Sequence, residues 1–206
     1  LPLFRAEDLP ALLEIEPVRE LRTLRLSFPL PPIDPHYRRA PAAYLANLIG
    51  HEGEGSGHAW LTERGWIDGL GAGSSHYGRE NAMLDISITL TLSGLEHWRD
   101  VAATVFTYLE IIREDGIDRD RFSEQQQLAR LAFDFREKGA PSGYVRSLAE
   151  NLLLFPPADV VRAPYAMDQY DPALIRSILA KLRPRNALVT LTAPEVTTDR
   201  EEPYFG

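Results

Sequence analysis

The densest grouping of chemically capable side chains is the run HEGEGSGH, where His51, Glu52, Glu54 and His58 fall within eight residues, with His76 further on. Imidazoles and carboxylates at that density raise the question of a zinc site. On a helix, zinc-binding histidines take the H-E-x-x-H spacing or the inverted H-x-x-E-H, because positions i and i+4 share a face and aim both rings at one ion. Here the two histidines stand seven apart, and Gly53, Gly55 and Gly57 break the stretch between them. The run therefore reads as a polar turn between helices, in which glycine admits unusual φ and Ser56 caps the next helix. No pair among His36, His51, His58, His76 and His97 has metal-ligand helical spacing, so the chain is expected to bind no zinc. Ser74-Ser75-His76 raises a hydrolytic triad, but the G-x-S-x-G elbow is missing. A hydrolase using His51 or His76 remains a minor reading. The glycines of Gly69-Leu70-Gly71-Ala72-Gly73 lack the terminal G-K-[ST] of a phosphate loop and the following helix of a dinucleotide site. They read as a Gly-rich edge strand or bulge in preference to a ligand loop.

These residues need elements to hold them. From Arg19 to Leu30, Leu24, Leu26, Phe28 and Leu30 alternate as in a half-buried strand, which Pro29, Pro31, Pro32 and Pro35 end. Ala40 to Ile49 has helical apolar spacing through Ala43, Leu45, Leu48 and Ile49, and a second short helix runs from about Ser56 to Arg64 with Gly65 as its stop. Trp66 to Ser74 reads as the Gly-rich strand. Asn81 to Leu92 is a strong one, with Leu84, Ile86, Ile88 and Leu90 on one face and Asp85, Ser87 and Thr89 on the other, and HYGR makes a hairpin between the two.

Ser93-Gly94-Leu95-Glu96 matches a capping box, so a long helix with Leu95, Trp98, Ala102, Val105, Leu109 and Ile112 inward is expected, ended by Asp115-Gly116. Asp118 caps the next helix, with Phe122, Leu128, Leu131, Ala132 and Phe135 inward and a stop at Gly139. Ser142 to Phe155 forms another, with Val145, Leu148 and Leu152 inward. Asp171-Pro172 starts a last helix through Lys181, and Asn186 to Ala193 is the last strand. The expected fold is one α+β domain over residues 1–206, helices on a largely antiparallel sheet, with strand order left open.

The 206 residues suffice for a single core that buries roughly 70% of the unfolded surface. With 44% apolar and 25% charged residues the composition is that of a folded globular chain. The formal net charge of −8 and the absence of basic runs argue against nucleic acid as a partner. No apolar run approaches membrane-spanning length, and the start LPLFRAEDLP lacks signal-peptide character, so no membrane partner is expected. Zero cysteines exclude disulfides and thiolate sites and fit periplasm and cytoplasm equally, leaving the compartment unknown. The chain starts without Met and stops after Pro203-Tyr204-Phe205-Gly206, a turn-like segment, and is read as a piece of something longer.

The segment LANLIGHEGEGSGHAWLTERGWIDGLGAG resembles the second domain of the insulinase/pitrilysin family of zinc peptidases, in which a helix ends in L-x-G-H-E-G-x-G-S and leads to K-x-x-G-W. Pro17 to Arg22 and Leu26 to Pro29 resemble that domain's opening. Arg162-Ala163-Pro164-Tyr165, Tyr170 to Ile175 and Leu182 to Asn186 resemble its closing helix and strand, and Thr197-Thr198-Asp199 with Glu202-Pro203-Tyr204 its exit.

What the resemblance implies is an accessory, non-catalytic domain. The family's zinc helix H-x-x-E-H lies in its first domain and is absent here, so zinc is expected in the parent's catalytic domain and no cofactor in this fragment. The expected partners are the remaining domains of the parent peptidase and peptide substrates. The domain would form part of a chamber wall. By resemblance it also carries an exosite for the substrate's N-terminal segment, at Leu70, Gly71, Ala72, Gly73 and Ser74, with His51, Glu52 and the turn to Gly55 beside it. The family often has Pro where Glu54 stands and a longer polar side chain where Ser74 stands, so affinity and selectivity do not carry over. The alternative reading is a binding module or inactive subunit of a processing-peptidase-like complex.

Overall fold

Alternation of apolar and polar side chains makes two strands the centre of the molecule. The computed structural model describes residues 4–137 and 139–201. Its strands are β1 (Ala11–Ile15), β2 (Thr23–Leu30), β3 (Ile67–Tyr77), β4 (Asn81–Leu90) and β5 (Leu188–Thr192). Its α-helices are α1 (Pro41–Ile49), α2 (Gly57–Glu63), α3 (Leu92–Glu96), α4 (Trp98–Asp115), α5 (Arg119–Asp134), α6 (Pro141–Leu154) and α7 (Pro172–Leu179). The sheet order is β1-β5-β2-β4-β3, with β1 parallel to β5 and every other pairing antiparallel. This is the expected α+β architecture with a largely antiparallel sheet.

β4 sits between β2 and β3, and Leu84, Ile86, Ile88 and Leu90 meet Phe28, Leu26 and Leu24 of β2 beneath the helices. Asp85, Ser87 and Thr89 line the opposite face, where Ser27 Oγ donates to Asp85 Oδ1. Helix α4 covers this core with Val101, Ala102, Val105, Leu109 and Ile112, and α7 adds Ile175, Ile178 and Leu179. Asp171 accepts from the Leu174 N–H at 3.0 Å with Pro172 following, the start expected for α7.

Several local expectations are corrected. β1 was not foreseen: ALLEI has no alternation, and its edge position leaves Leu12 and Leu13 half exposed. On α1, Tyr44 and Ala42 turn inward while Ala43 faces out. The cap before α3 is Thr91, whose Oγ1 accepts from the Gly94 N–H at 2.9 Å, so Ser93 lies inside the helix, and with glycine three residues past the cap there is no capping box. α3 ends at Glu96 with His97 as its C-cap, and α4 begins afresh at Trp98. Gly94 admits no side chain, since a Cβ there would stand 1.8 Å from the Trp66 carbonyl oxygen.

α5 buries Phe122 and Gln125 but exposes Leu128, Leu131, Ala132 and Phe135, and it ends at Asp134 rather than Gly139. On α6 neither Val145 nor Leu152 points inward, and Leu148 is only half buried. The core takes in Phe122 and touches Ala129 on α5, and includes no residue of α6. The exit residues Glu202-Pro203-Tyr204 and the turn-like end at Gly206 lie outside the described residues.

Candidate peptide-binding edge

β3 is the outermost strand, so one of its two backbone edges has no neighbouring strand among the described residues. Which groups that edge presents follows from the ladder. Leu90 of β4 donates its N–H to the Arg22 carbonyl on the β2 side at 2.9 Å. Because backbone groups alternate in direction along a strand, Thr89, Ser87 and Asp85 turn theirs towards β3. Their partners Gly69, Gly71 and Gly73 therefore spend their N–H and C=O groups on β4. Leu70, Ala72 and Ser74 are left with theirs on the open edge. Among the described residues no backbone hydrogen bond reaches those N–H groups. The irregularity between Ile67 and Gly69, with Asp68 as the extra residue, sets this phase.

The same alternation distributes the side chains. Leu70 is buried and Ala72 half-buried on the helix side, while the three glycines lie on the opposite face beside Thr89, Ser87 and Asp85. A Cβ on Gly69, Gly71 or Gly73 would meet no atom within 4 Å, so these glycines keep that face bare rather than relieve a close contact.

Beyond the open edge lies a groove of ≈ 490 Å³ between β3 and α1, lined by Ala43, Ala46, Asn47 and Gly50 opposite Gly71 to Ser74. Ala43, Ala46 and Asn47 of α1 and Gly50 at its C-cap recur at i, i+3, i+4 and i+7, one face of a helix, and their modest size creates the space. At Gly50 the helix end lies directly over β3: a Cβ there would stand 3.7 Å from the Ala72 nitrogen and 3.9 Å from Gly71 Cα. Two phenols pin the wall, Tyr44 buried and Tyr108 half-buried. Tyr44 Oη donates to the Asp118 carbonyl at 3.2 Å and Tyr108 Oη to the Leu48 carbonyl at 3.3 Å. Burial pushes both phenols above their ordinary pKa.

His51 and Glu52 follow Gly50 directly and are exposed, with Glu54 and Gly55 at the tip of the turn. Ser56 closes it, accepting from the Ala59 N–H at 3.0 Å. The structure thus brings the Leu70–Ser74 strand and the helix end carrying His51 together. Among the described residues the His51 and Glu52 side chains make no hydrogen bond or ion pair. His76 is engaged elsewhere, its Nδ1 2.7 Å from Asp34 Oδ1, with no hydrogen bond to Ser74 or Ser75. His97 stacks on Trp66 at 4.9 Å between ring centroids. Among the described residues no three His, Asp or Glu side chains gather as metal ligands. Sequence reasoning missed Ala43, Ala46, Asn47 and Gly50; their helical repeat of small residues was the available signal.

Residues 8–128 match the family model described as "Peptidase M16 inactive domain", and residues 133–206 match "Middle or third domain of peptidase_M16". The chain is 34% identical over 206 residues to the A-factor-processing enzyme of Saccharomyces cerevisiae, covering 100% of this chain and 20% of that protein. It is 35% identical over 205 residues to human insulin-degrading enzyme, covering 98% of this chain and 20% of the relative. Against the crystal structure of pitrilysin the TM-score is 0.90 at 27% identity, over 94% of this chain and 21% of that one. The inactive peptidase domain of a putative zinc protease from Bordetella parapertussis shares the fold, with a TM-score of 0.67 at 11% identity over 90% of this chain and 97% of that one. The chain spans about a fifth of the length of the curated relatives it matches. With an inactive-domain model covering more than half of it, and relatives this similar along nearly its whole length, the chain belongs to the peptidase M16 (insulinase/pitrilysin) family as a non-catalytic domain.

Proposed function

We propose that this chain is an accessory domain of a zinc-dependent metalloendopeptidase, that it forms part of the wall of the chamber enclosing the substrate, and that β3 anchors the substrate's N-terminal segment. The observation that carries this reading is the open edge of β3, where Leu70, Ala72 and Ser74 present unpaired backbone groups to a groove walled by small residues. An extended peptide adds a strand to such an edge, and main-chain pairing makes the interaction tolerant of sequence. Alternate peptide side chains would then enter the groove beside Ala43, Ala46 and Asn47. Glu52 and Glu54, exposed just past the end of α1, favour a protonated amino terminus by a modest, salt-screened attraction. The zinc of such an enzyme belongs to another domain of the parent, so this domain contributes affinity and orientation rather than bond cleavage.

The test is hydrogen exchange resolved residue by residue along β3 in the full-length parent, with and without a long, non-hydrolysable peptide. Slowing at Leu70, Ala72 and Ser74, with Gly71 and Gly73 already slow and unchanged, is the expected result. Exchange along β3 that ignores a saturating peptide would sink the proposal.

A further inference from the structure

Asp85 stands on the face of the sheet turned away from the helices, opposite Gly73 of β3 and Ser27 of β2. Ser27 Oγ donates to its Oδ1, and among the described residues no hydrogen bond or ion pair reaches its second oxygen. The chain's own groups thus leave this carboxylate half satisfied. Asp85 is half-buried, while Gly71, Gly73 and Ser87 around it are exposed. A Cβ on Gly73 would meet no atom within 4 Å, so no side chain stands between the open edge of β3 and Asp85. Arg25, opposite Ser87 on the far strand β2, shares this face and makes no ion pair with Asp85 among the described residues. Other carboxylates stand apart from it: Asp68 before Gly69, Glu80 in the hairpin turn, Glu52 and Glu54 past the end of α1, and Asp34, which His76 engages.

Resting on the reading of β3 as a peptide-anchoring edge, we infer that Asp85 determines specificity there: it selects a Lys or Arg in the anchored segment, whose side chain crosses the bare backbone at Gly73 to the unengaged carboxylate oxygen. Side chains directly opposite one another in a ladder share a face, so a guest residue paired with Gly73 points to the side on which Asp85 stands. Two strand spacings, about 10 Å, separate its Cα from that of Asp85. Lys and Arg combine positive charge with a stem long enough to lie across that gap, and the glycine lets the stem lie flat. The guest residues on either side turn into the α1 groove, whose lining includes Ala43, Ala46 and Asn47 and no carboxylate. The selected peptide therefore carries a basic residue at one position and uncharged residues beside it. The net charge of −8 acts in the same sense at longer range. Arg25 lies one strand beyond Asp85, so the nearer carboxylate dominates what the guest side chain meets.

The test uses the full-length parent and long, non-hydrolysable peptides with an acetylated amino terminus, each carrying one Lys moved residue by residue along an otherwise uncharged anchoring segment. Binding should be about three- to tenfold tighter with Lys than with norleucine at one position, with no gain at the two adjacent positions. Asp85→Asn keeps the acceptor for Ser27 and should erase the gain. Gly73→Val should erase it too, by filling the path while leaving the backbone of β3 in place. Hydrogen exchange at Leu70, Ala72 and Ser74 is followed with the same peptides. Slowed exchange without a Lys gain, or with a gain that survives either substitution, overturns the inference while the anchoring edge stands. Exchange that no peptide alters overturns both. Should Asp85→Asn fail to fold, the wild type decides alone: the Lys advantage must sit at that single position and shrink as salt rises, and a salt-independent advantage refutes the inference.

Discussion

Ala72→Pro separates the open edge of β3 from its paired edge. Ala72 turns its N–H away from β4, so proline there removes a donor that the sheet does not use, and the preceding Gly71 is the residue least restricted before a proline. Unfolding free energy should change by no more than about 1 kcal/mol, whereas Gly71→Pro, which deletes the N–H given to Ser87, should cost about 1–3 kcal/mol. The effect on a docked peptide is larger. One backbone bond worth about 0.5–1.5 kcal/mol is lost, and the ring intrudes where a guest strand would lie about 4.8 Å away, disturbing the neighbouring bond too. Together these give about 1–3 kcal/mol, or roughly 5- to 100-fold, in kcat/KM of the full-length parent for a long peptide that reaches β3. A short peptide that does not reach it should be cleaved as by wild type. The assay is that pair of substrates on wild type and both variants, beside denaturant unfolding. The reasoning fails if the two peptides respond alike, or if Ala72→Pro destabilises as much as Gly71→Pro, since the backbone phase would then be wrong.

Ile88→Ala removes a fully buried side chain facing Leu24 and Leu70 and should cost about 2–5 kcal/mol; Thr89→Ala on the open face should cost far less by denaturant midpoint. Thr91→Ala should lose about 1 kcal/mol as the true cap of α3, with Ser93→Ala near neutral; the reverse order in thermal unfolding would restore the capping box to Ser93. Tyr37 donating to Asp159, with the Arg38 guanidinium beside it, holds that carboxyl below the usual carboxylate range. A carboxyl depressed on folding stabilises fully above its unfolded pKa of about 3.9 and loses that contribution as pH falls through the lower folded value. The melting temperature of the wild type should therefore fall more steeply below about pH 4 than that of Asp159→Asn, and parallel acid limbs would refute the assignment.

Local pattern told most where it was doubly specified. The alternation in Leu84 to Leu90 and the Asp171-Pro172 pair each fix a backbone and a facing direction at once, and both hold in the structure. β1 escaped notice because five residues without alternation carry no period, and only pairing with a strand from the other end of the chain makes them a strand. The stripe on α6 was legible as apolar, but amphipathicity says that a face wants burial and not that the same domain supplies the cover. Likewise Leu70 to Ser74 read as Gly-rich strand, while its place at the sheet edge depends on strand order, a non-local fact. The α1 side of the groove was hidden for the opposite reason: Ala43 counts as apolar in any periodicity, and only the helix's rotation, set by Tyr44 turning inward, exposes it.

The parallel pairing of β1 with β5 has a consequence for assembly of the chain. Ala11 finds its partner Leu188, and Ile15 closes on Thr192, only after the chain has been made through residue 192. The hairpin of β3 and β4, joined by a three-residue turn at 78–80, needs no such wait. A growing chain can zip β2, β4 and β3 together early, while the flank of β2 destined for β5 stays unpaired through synthesis of the five α-helices α3 to α7. Contacts of such high sequence separation form slowly, and an open strand flank is where a nascent chain pairs wrongly. The first strand of this domain is thus the last to find its place.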